Sequence, residues 1–427
     1  MRYYRRITLA VAVLLLQVPG FSQDFTKDLE GNIERTAGIF HSYEACEAPG
    51  TPAPEGYVPV YVSHYGRHGS RRQAGAYATL PYETMLKADS LGLLTPLGKE
   101  FLEDVKKVYA PHEGMQGELT ERGAREHAGI AQRMYGRFSQ AFSGGLVRCQ
   151  ASIVPRCIIS MANFTSSLKS QSPSTCFSFV TGEKYLELLA REAKDRDSWR
   201  GRPKAAEVAA GRELLDPERL MKALFVSGKE ETLNKLIPDA RSSIVLMFYF
   251  ISDCQDLLYE LDGFDMYKYF TKDELIALGK VGNERFYTSI GNSTELGDNI
   301  TWSAKPLLKD IISRADEALA SAGEGRIAAD LRFGHDSGLL PLAALMDIEG
   351  PSGRYPIGTA WKNGFYIWKY IPMAANLQLA FYRNGQGEVL VKILYNEVER
   401  RIPALGDGPY YDWNNLREYL LQKTVGF

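Results

Sequence analysis

Tyr57-Val58-Pro59-Val60-Tyr61-Val62-Ser63-His64-Tyr65-Gly66-Arg67-His68-Gly69-Ser70-Arg71 is the stretch from which the rest of the chain can be read. Val58, Val60 and Val62 alternate with Pro59, Tyr61 and Ser63, the period of two expected of a buried strand over 57–64. That strand runs straight into a polar loop, Tyr65 to Arg71. The same grammar recurs downstream. Ile327 to Phe333 reads as a strand, Gly334-His335-Asp336-Ser337-Gly338 follows it, and Gly338 to Met346 begins a helix. Leu146 to Ser152 reads as a further short strand with a helix from about Pro155. Strands alternating with helices make an α/β protein. In open α/β sheets ligands bind beyond the carboxyl ends of the strands, where both polar loops fall.

Local signals fill in the frame. Leu94-Thr95-Pro96-Leu97-Gly98 and Leu119-Thr120-Glu121-Arg122-Gly123 look like helix starts, with Thr95 and Thr120 as N-caps and Pro96 at the first helical position. The helix after Thr120 is expected to reach Phe138. Pro306 to Ala322 is amphipathic, with Leu307, Leu308, Ile311, Ile312, Ala315 and Leu319 on one face and Gly323 ending it. Asn376 to Tyr382 and Val389 to Tyr395 alternate like strands, and Asn384-Gly385-Gln386-Gly387 between them is a hairpin signal. Residues 166–301 change character. Glu183–Lys194, Ala205–Leu224 and Ser242–Leu261 look helical, with aromatics and charges mixed through them. The domain reading is therefore an α/β core over 23–165 and 302–427, with a mostly helical cap insertion over 166–301.

The chain has 427 residues, 45% hydrophobic and 24% charged, enough for a large core and unlike a disordered or coiled-coil sequence. Fifty basic and 52 acidic residues leave a net charge of -2, without the basic excess that general nucleic-acid binding needs. Arg2, Arg5 and Arg6 precede an apolar run from Ile7 to Leu16, too short to span a bilayer as a mature helix. With Gly20-Phe21-Ser22 it reads as a signal peptide over 1–22, implying a periplasmic or secreted protein with no membrane segment after cleavage. Five cysteines, Cys46, Cys149, Cys157, Cys176 and Cys254, are an odd number, so at least one thiol is left over; one or two bridges stay open, with no pairing assigned.

Arg67-His68-Gly69-Ser70-Arg71 has the parts to hold and attack a phosphoryl group. Flanking cations push an imidazole toward its neutral, nucleophilic form. Guanidinium groups bind phosphate oxygens through paired, charge-assisted hydrogen bonds. In the second segment, His335 could stabilise an equatorial phosphoryl oxygen and Asp336 could protonate a leaving alkoxide. From spacing alone, a solvated basic turn and an ordinary helix N-cap also fit.

The two segments together resemble the histidine phosphatase superfamily, in its acid phosphatase and phytase branch. Leu119-Thr120-Glu121-Arg122-Gly123 resembles the helix start between the two signatures. Ala151-Ser152-Ile153-Val154-Pro155-Arg156 resembles the segment that supplies another phosphate-binding arginine. Met373 to Leu377 and Tyr395-Asn396-Glu397 resemble the closing strands. The likeness runs over nearly all of the chain beyond the leader, and most resembles secreted bacterial multiple inositol polyphosphate phosphatases. It implies a phosphoglycerate mutase-like core, with a central mixed sheet flanked by helices. It implies His68 as nucleophile and Asp336 as proton donor. Arg67, Arg71, Arg156 and His335 would form the phosphate cradle. Neither cofactor nor metal is implied, and no HExxH motif suggests one. The partner would be a small anionic phosphomonoester; the oligomeric state is left open.

The chain departs from the family pattern at three places. Gln73 stands where many relatives have proline. Ala151-Ser152, set off by Ile153, stands in place of a Ser-Thr pair. The inositol polyphosphate phosphatase subgroup often carries His-Ala-Glu where this chain has His335-Asp336, which bears on the proton donor and substrate preference. A broad-specificity acid phosphatase acting on sugar phosphates and a non-catalytic phospho-ligand binding protein are the alternatives. Retention of both His68 and Asp336 argues against the second, and the export signal argues against a mutase. His64, at the strand end, reads as a packed residue rather than a substrate contact.

Overall fold

The structure, a computed structural model, describes residues 25–47, 50–189 and 211–426. The expected signal peptide lies outside them, as do 190–194 and 205–210 of the two expected helices. Eight strands form one mixed sheet: β1 (Val58–Arg67), β2 (Leu146–Ala151), β3 (Cys176–Thr181), β4 (Ile327–Gly334), β5 (Asn376–Arg383), β6 (Val389–Tyr395), β7 (Val398–Glu399) and β8 (Tyr410–Asp412). Their order is β3-β2-β4-β1-β5-β6-β7, with β8 also on β6. The half β3-β2-β4-β1 is parallel, and β1-β5-β6 is antiparallel. β1 sits at the junction of the two halves and pairs on both edges, Val62 with Ala329 on one side and with Ala380 on the other.

That double pairing explains why β1 outruns its expected end at His64. Gly66 pairs with Phe333 and Asn376, and Arg67 with Gly334, so the two edges hold the strand straight through a glycine that reads locally as a breaker. Every residue of β4 is buried, as parallel strands covered on both faces are.

One face of the sheet is covered by α1 (Glu121–Phe142) and α2 (Pro155–Gln171), which pack Ile130, Met134, Phe138 and Phe164 against Val62 and Leu331. Thr120 caps α1 by accepting from Gly123 N–H at 3.3 Å, and Pro155 opens α2. The helix after Thr120 continues past Phe138, which has non-helical φ/ψ. The other face carries Tyr61 and Tyr65. It is covered by α4 (Lys305–Ala320), which buries Leu307, Leu308, Ile311, Ile312 and Ala315, while α3 (Ala240–Asp256) extends the same apolar cluster by packing on other helices. α5 (Asp336–Leu345) begins directly after His335.

The helical excursion starts later in the chain than composition suggests. Residues 155–171 are one core helix, and Cys176–Thr181 pairs with β2 as an edge strand. All but Phe177 in that strand are exposed, so no clear inside–outside pattern marks it. All five cysteines are free thiols.

Candidate active site

Three turns meet because β2, β4 and β1 are neighbours and parallel. Each releases its chain at the same edge of the sheet: Arg67-His68 after β1, Ser152 to Arg156 after β2, and His335-Asp336 after β4. Backbone bonds tie them together. His68 N–H donates to Gly334 O at 3.0 Å, Ser152 N–H to Phe333 O at 2.9 Å, and Ala374 N–H to His68 O at 2.9 Å.

The His68 ring is 3% exposed, and Nδ1 lies 2.9 Å from Gly69 O. A carbonyl only accepts, so Nδ1 carries the proton and Nε2 keeps its lone pair. Burial pushes the His68 pKa well below the ordinary histidine value, and Arg156, Arg67, His335 and Arg71 push it further. The ring is thus a neutral base among cations. The rings of His68 and His335 are 5.6 Å apart, at 72° to each other.

The arginines are anchored but not saturated. Arg67, 1% exposed, donates through Nη1 to Ile39 O (2.7 Å) and Ile371 O (2.8 Å), and its Nη2 lies 3.5 Å from Asp336 Oδ2. Arg156 Nη1 donates to Gly117 O at 3.4 Å. The Nε of Arg67, Arg71 and Arg156 are each buried without a hydrogen-bond partner. Three buried guanidinium donors lacking partners carry a desolvation cost that an anion would relieve.

His335 is the N-cap of α5, and Asp336 opens that helix. His335 Nε2 lies 3.2 Å from Ser152 Oγ and 3.6 Å from Cys157 Sγ. Burial and Arg156 lower the His335 pKa, against the pull of Asp336. For Asp336, burial pulls the pKa up, but Arg67, His335 and the Ser337 N–H outweigh it and hold the carboxyl below its usual range. Its side chain keeps 25% of its exposure, enough for a ligand to reach it.

Close backbone approach shapes these turns. A Cβ on Gly69 would stand 2.6 Å from Gly123 O, and one on Gly123 would stand 2.2 Å from Ser70 O, so the loop after β1 lies directly on the start of α1. Thr120 Oγ1 also donates to Ser70 O at 3.0 Å. Gly334 and Gly338 make room for the Tyr65 hydroxyl, 2.3 Å from where either Cβ would be.

All six residues singled out from sequence, Arg67, His68, Arg71, Arg156, His335 and Asp336, fall in this one cluster. His64 does not join it. It packs between Phe164 and Phe333, with ring centroids at 5.1 and 5.5 Å. Three supporting residues were not legible as such. Tyr65 accepts from His335 N–H at 3.2 Å. Ser152 faces His335. Glu126 accepts from Ser70 N–H (2.7 Å), Ser70 Oγ (2.8 Å) and Tyr43 N–H (2.9 Å). Glu126 falls on the α1 face turned to the loop, a face that no local pattern marks. Among the described residues, no group of three or more His, Cys, Asp or Glu could hold a metal ion, and no helix is long and apolar enough to cross a membrane.

No protein-family model matches the chain, and no curated protein matches it in sequence. Solved structures do match. A Bifidobacterium longum multiple inositol polyphosphate phosphatase, in complex with inositol hexasulfate, aligns with a TM-score of 0.75 at 20% identity, over 92% of this chain and 99% of that one. The phytase from D. castellii aligns with a TM-score of 0.69 at 16% identity, over 93% and 86% of the two chains. A Hafnia alvei phytase aligns with a TM-score of 0.52 at 12% identity, over 87% and 98%. The sheet order, the three converging turns and these alignments together give this chain the fold that the inositol polyphosphate phosphatase and phytase structures share.

Proposed function

We propose that this protein hydrolyses phosphomonoesters through a phosphohistidine on His68, with inositol polyphosphates as the substrate class. The observation that carries the proposal is the His68 ring. It is neutral, its Nε2 lone pair is unengaged, and it is surrounded by three arginines whose buried Nε atoms lack partners. The similarity to inositol polyphosphate phosphatase and phytase structures supports the substrate class. Asp336 directly after His335 favours a second, broader specificity that includes sugar phosphates.

In the first step His68 Nε2 forms a bond to phosphorus as the bond to the ester oxygen breaks. Asp336 gives its proton to the departing alkoxide, and the three equatorial oxygens rest on Arg67, Arg71, Arg156 and His335. In the second step water attacks phosphorus, the N–P bond breaks, and the Asp336 carboxylate takes the water's proton. Asp336 is then protonated as at the start of the first step, and it gives that proton up to the departing phosphate or to solvent as phosphate leaves. Asp336 is ionised in the free protein, so its proton arrives with the substrate or from solvent. Bound phosphate offsets the cations that hold the carboxyl down, and this raises its affinity for a proton.

The helices between β3 and α4 would form the cap over the site. The leader, residues 1–22, would direct the enzyme to the periplasm or the medium.

The test is phosphate release from p-nitrophenyl phosphate and from phytate in excess EDTA, with mass spectrometry of alkali-quenched enzyme. Phosphate on the His68 peptide, lost in His68→Ala along with turnover, is the expected result. Turnover within about tenfold of wild type in His68→Ala, a barrier change of about 1.4 kcal/mol, would reject the nucleophile.

A further inference from the structure

We propose that Gln73 is a positioning residue that sets two of the three cradle arginines from the helical excursion. The proposal rests on the phosphatase reading above. Gln73 is fully buried. Its Oε1 accepts from Arg71 Nη1 at 3.2 Å, and its Nε2 donates to Tyr249 O on α3 at 3.2 Å. Its backbone N–H donates to Asp253 Oδ2 on the same helix at 2.6 Å, an oxygen that His112 Nε2 also meets at 2.7 Å. Its carbonyl accepts from Gly117 N–H at 3.1 Å, and the Gly117 carbonyl in turn accepts from Arg156 Nη1 at 3.4 Å.

One residue therefore grips Arg71 by its side chain and Arg156 through one intervening residue, Gly117, while two bonds fix it to α3. A proline here, as in many relatives, has no N–H for Asp253 and no amide for Arg71. The Arg71 guanidinium otherwise has one hydrogen bond, to Arg72 O at 2.9 Å, and stacks on the Phe40 ring at 5.6 Å. Without Gln73 its fork keeps only these two contacts and can turn about them, and a misdirected fork weakens phosphate binding without unfolding the site.

The test is a double-mutant cycle on inorganic phosphate binding by calorimetry, run beside hydrolysis of p-nitrophenyl phosphate. Gln73→Ala leaves the backbone bonds in place. It should weaken phosphate binding about tenfold and raise KM more than it lowers kcat. Arg71→Lys keeps a charge but loses the planar fork. Gln73→Ala added to Arg71→Lys should cost no more than about a further twofold, because the grip acts through the fork. A fully additive double variant, or Gln73→Ala binding phosphate as wild type does, would overturn the proposal. Should Gln73→Ala fail to fold, Gln73→Met fills the same space and runs the same cycle. Wild-type protein that binds phosphate but releases none from the ester would sink the phosphatase reading, while the binding cycle would still decide the role of Gln73.

Discussion

As the proposed acid, Asp336 has to be protonated to act, yet it is held deprotonated at rest, and the electrostatics of the site turn that conflict into a pH dependence. Arg67, 3.5 Å away, and the Ser337 N–H, 2.7 Å from Oδ1, favour the carboxylate. His68 has the opposite requirement and meets it easily, because burial and the arginines keep it neutral far below the ordinary histidine range. On the proposed mechanism the acid is therefore supplied by low pH, while the proposed nucleophile stays neutral there. We expect kcat/KM for an alkyl phosphate to fall as pH rises toward neutrality, with no ascending limb near pH 6.5; a rise with that midpoint in the pH–rate profile would mean that His68 titrates normally. Asp336→Asn should slow esters with poor leaving groups by about 100-fold or more, and p-nitrophenyl phosphate much less. Equal slowing of both would remove Asp336 from the acid role.

The loop after β1 is held by an element that supplies none of the six candidate site residues. α1 presents Gly123 to Ser70, Thr120 to the same carbonyl, and Glu126 to the Ser70 N–H and hydroxyl. The loop is thus clamped against a helix N-terminus, and His68 inherits that rigidity. Gly123→Ala would place a methyl group 2.2 Å from Ser70 O and 2.8 Å from both Ser70 N and Leu119 Cδ1. It should destabilise the protein by about 1–3 kcal/mol in urea unfolding and reduce turnover at temperatures where the variant is folded. Wild-type stability and turnover together would show that the loop does not need this contact. Glu126→Gln keeps the shape and loses the charge. It should lower kcat/KM about tenfold and cost about 1–2 kcal/mol in urea unfolding, since bonds to a charged acceptor are worth more than neutral ones; assays of both variants at temperatures where each is folded separate positioning from stability.

At the scale of the whole molecule, the same sheet that assembles the site buries two imidazoles in apolar surroundings. His64 on β1 and His127 on α1 both pack on Phe333, and none of their four ring nitrogens has a close hydrogen bond, the Arg67 backbone pulling only weakly on His127. Burial lowers each to about 3. The unfolded chain takes up these protons near pH 6.5 and the folded chain does not, so stability falls as pH drops from about 6.5 toward 3. The slope is about 1.4 kcal/mol per pH unit for each ring. His127→Gln should flatten the dependence of the urea midpoint on pH in that window; an unchanged slope would mean that the rings find protons in the fold. Acid-side chemistry and acid-labile packing thus limit the working range from opposite directions. The sequence by itself determined the local pieces: Thr95 and Thr120 as caps, the amphipathic stripe of α4, the β5–β6 hairpin, and the two strand–loop–helix turns carrying His68 and Asp336. These depend on neighbours within a few residues, so spacing and side-chain type suffice to read them. Only the tertiary structure decided that β4 lies between β2 and β1, that Cys176–Thr181 closes the sheet edge, that His64 belongs to the core, and that Gln73 joins α3 to Arg71. Val62 and Ala329 meet across more than half the chain, and no local pattern encodes which distant strand completes a ladder or which buried donor finds which acceptor.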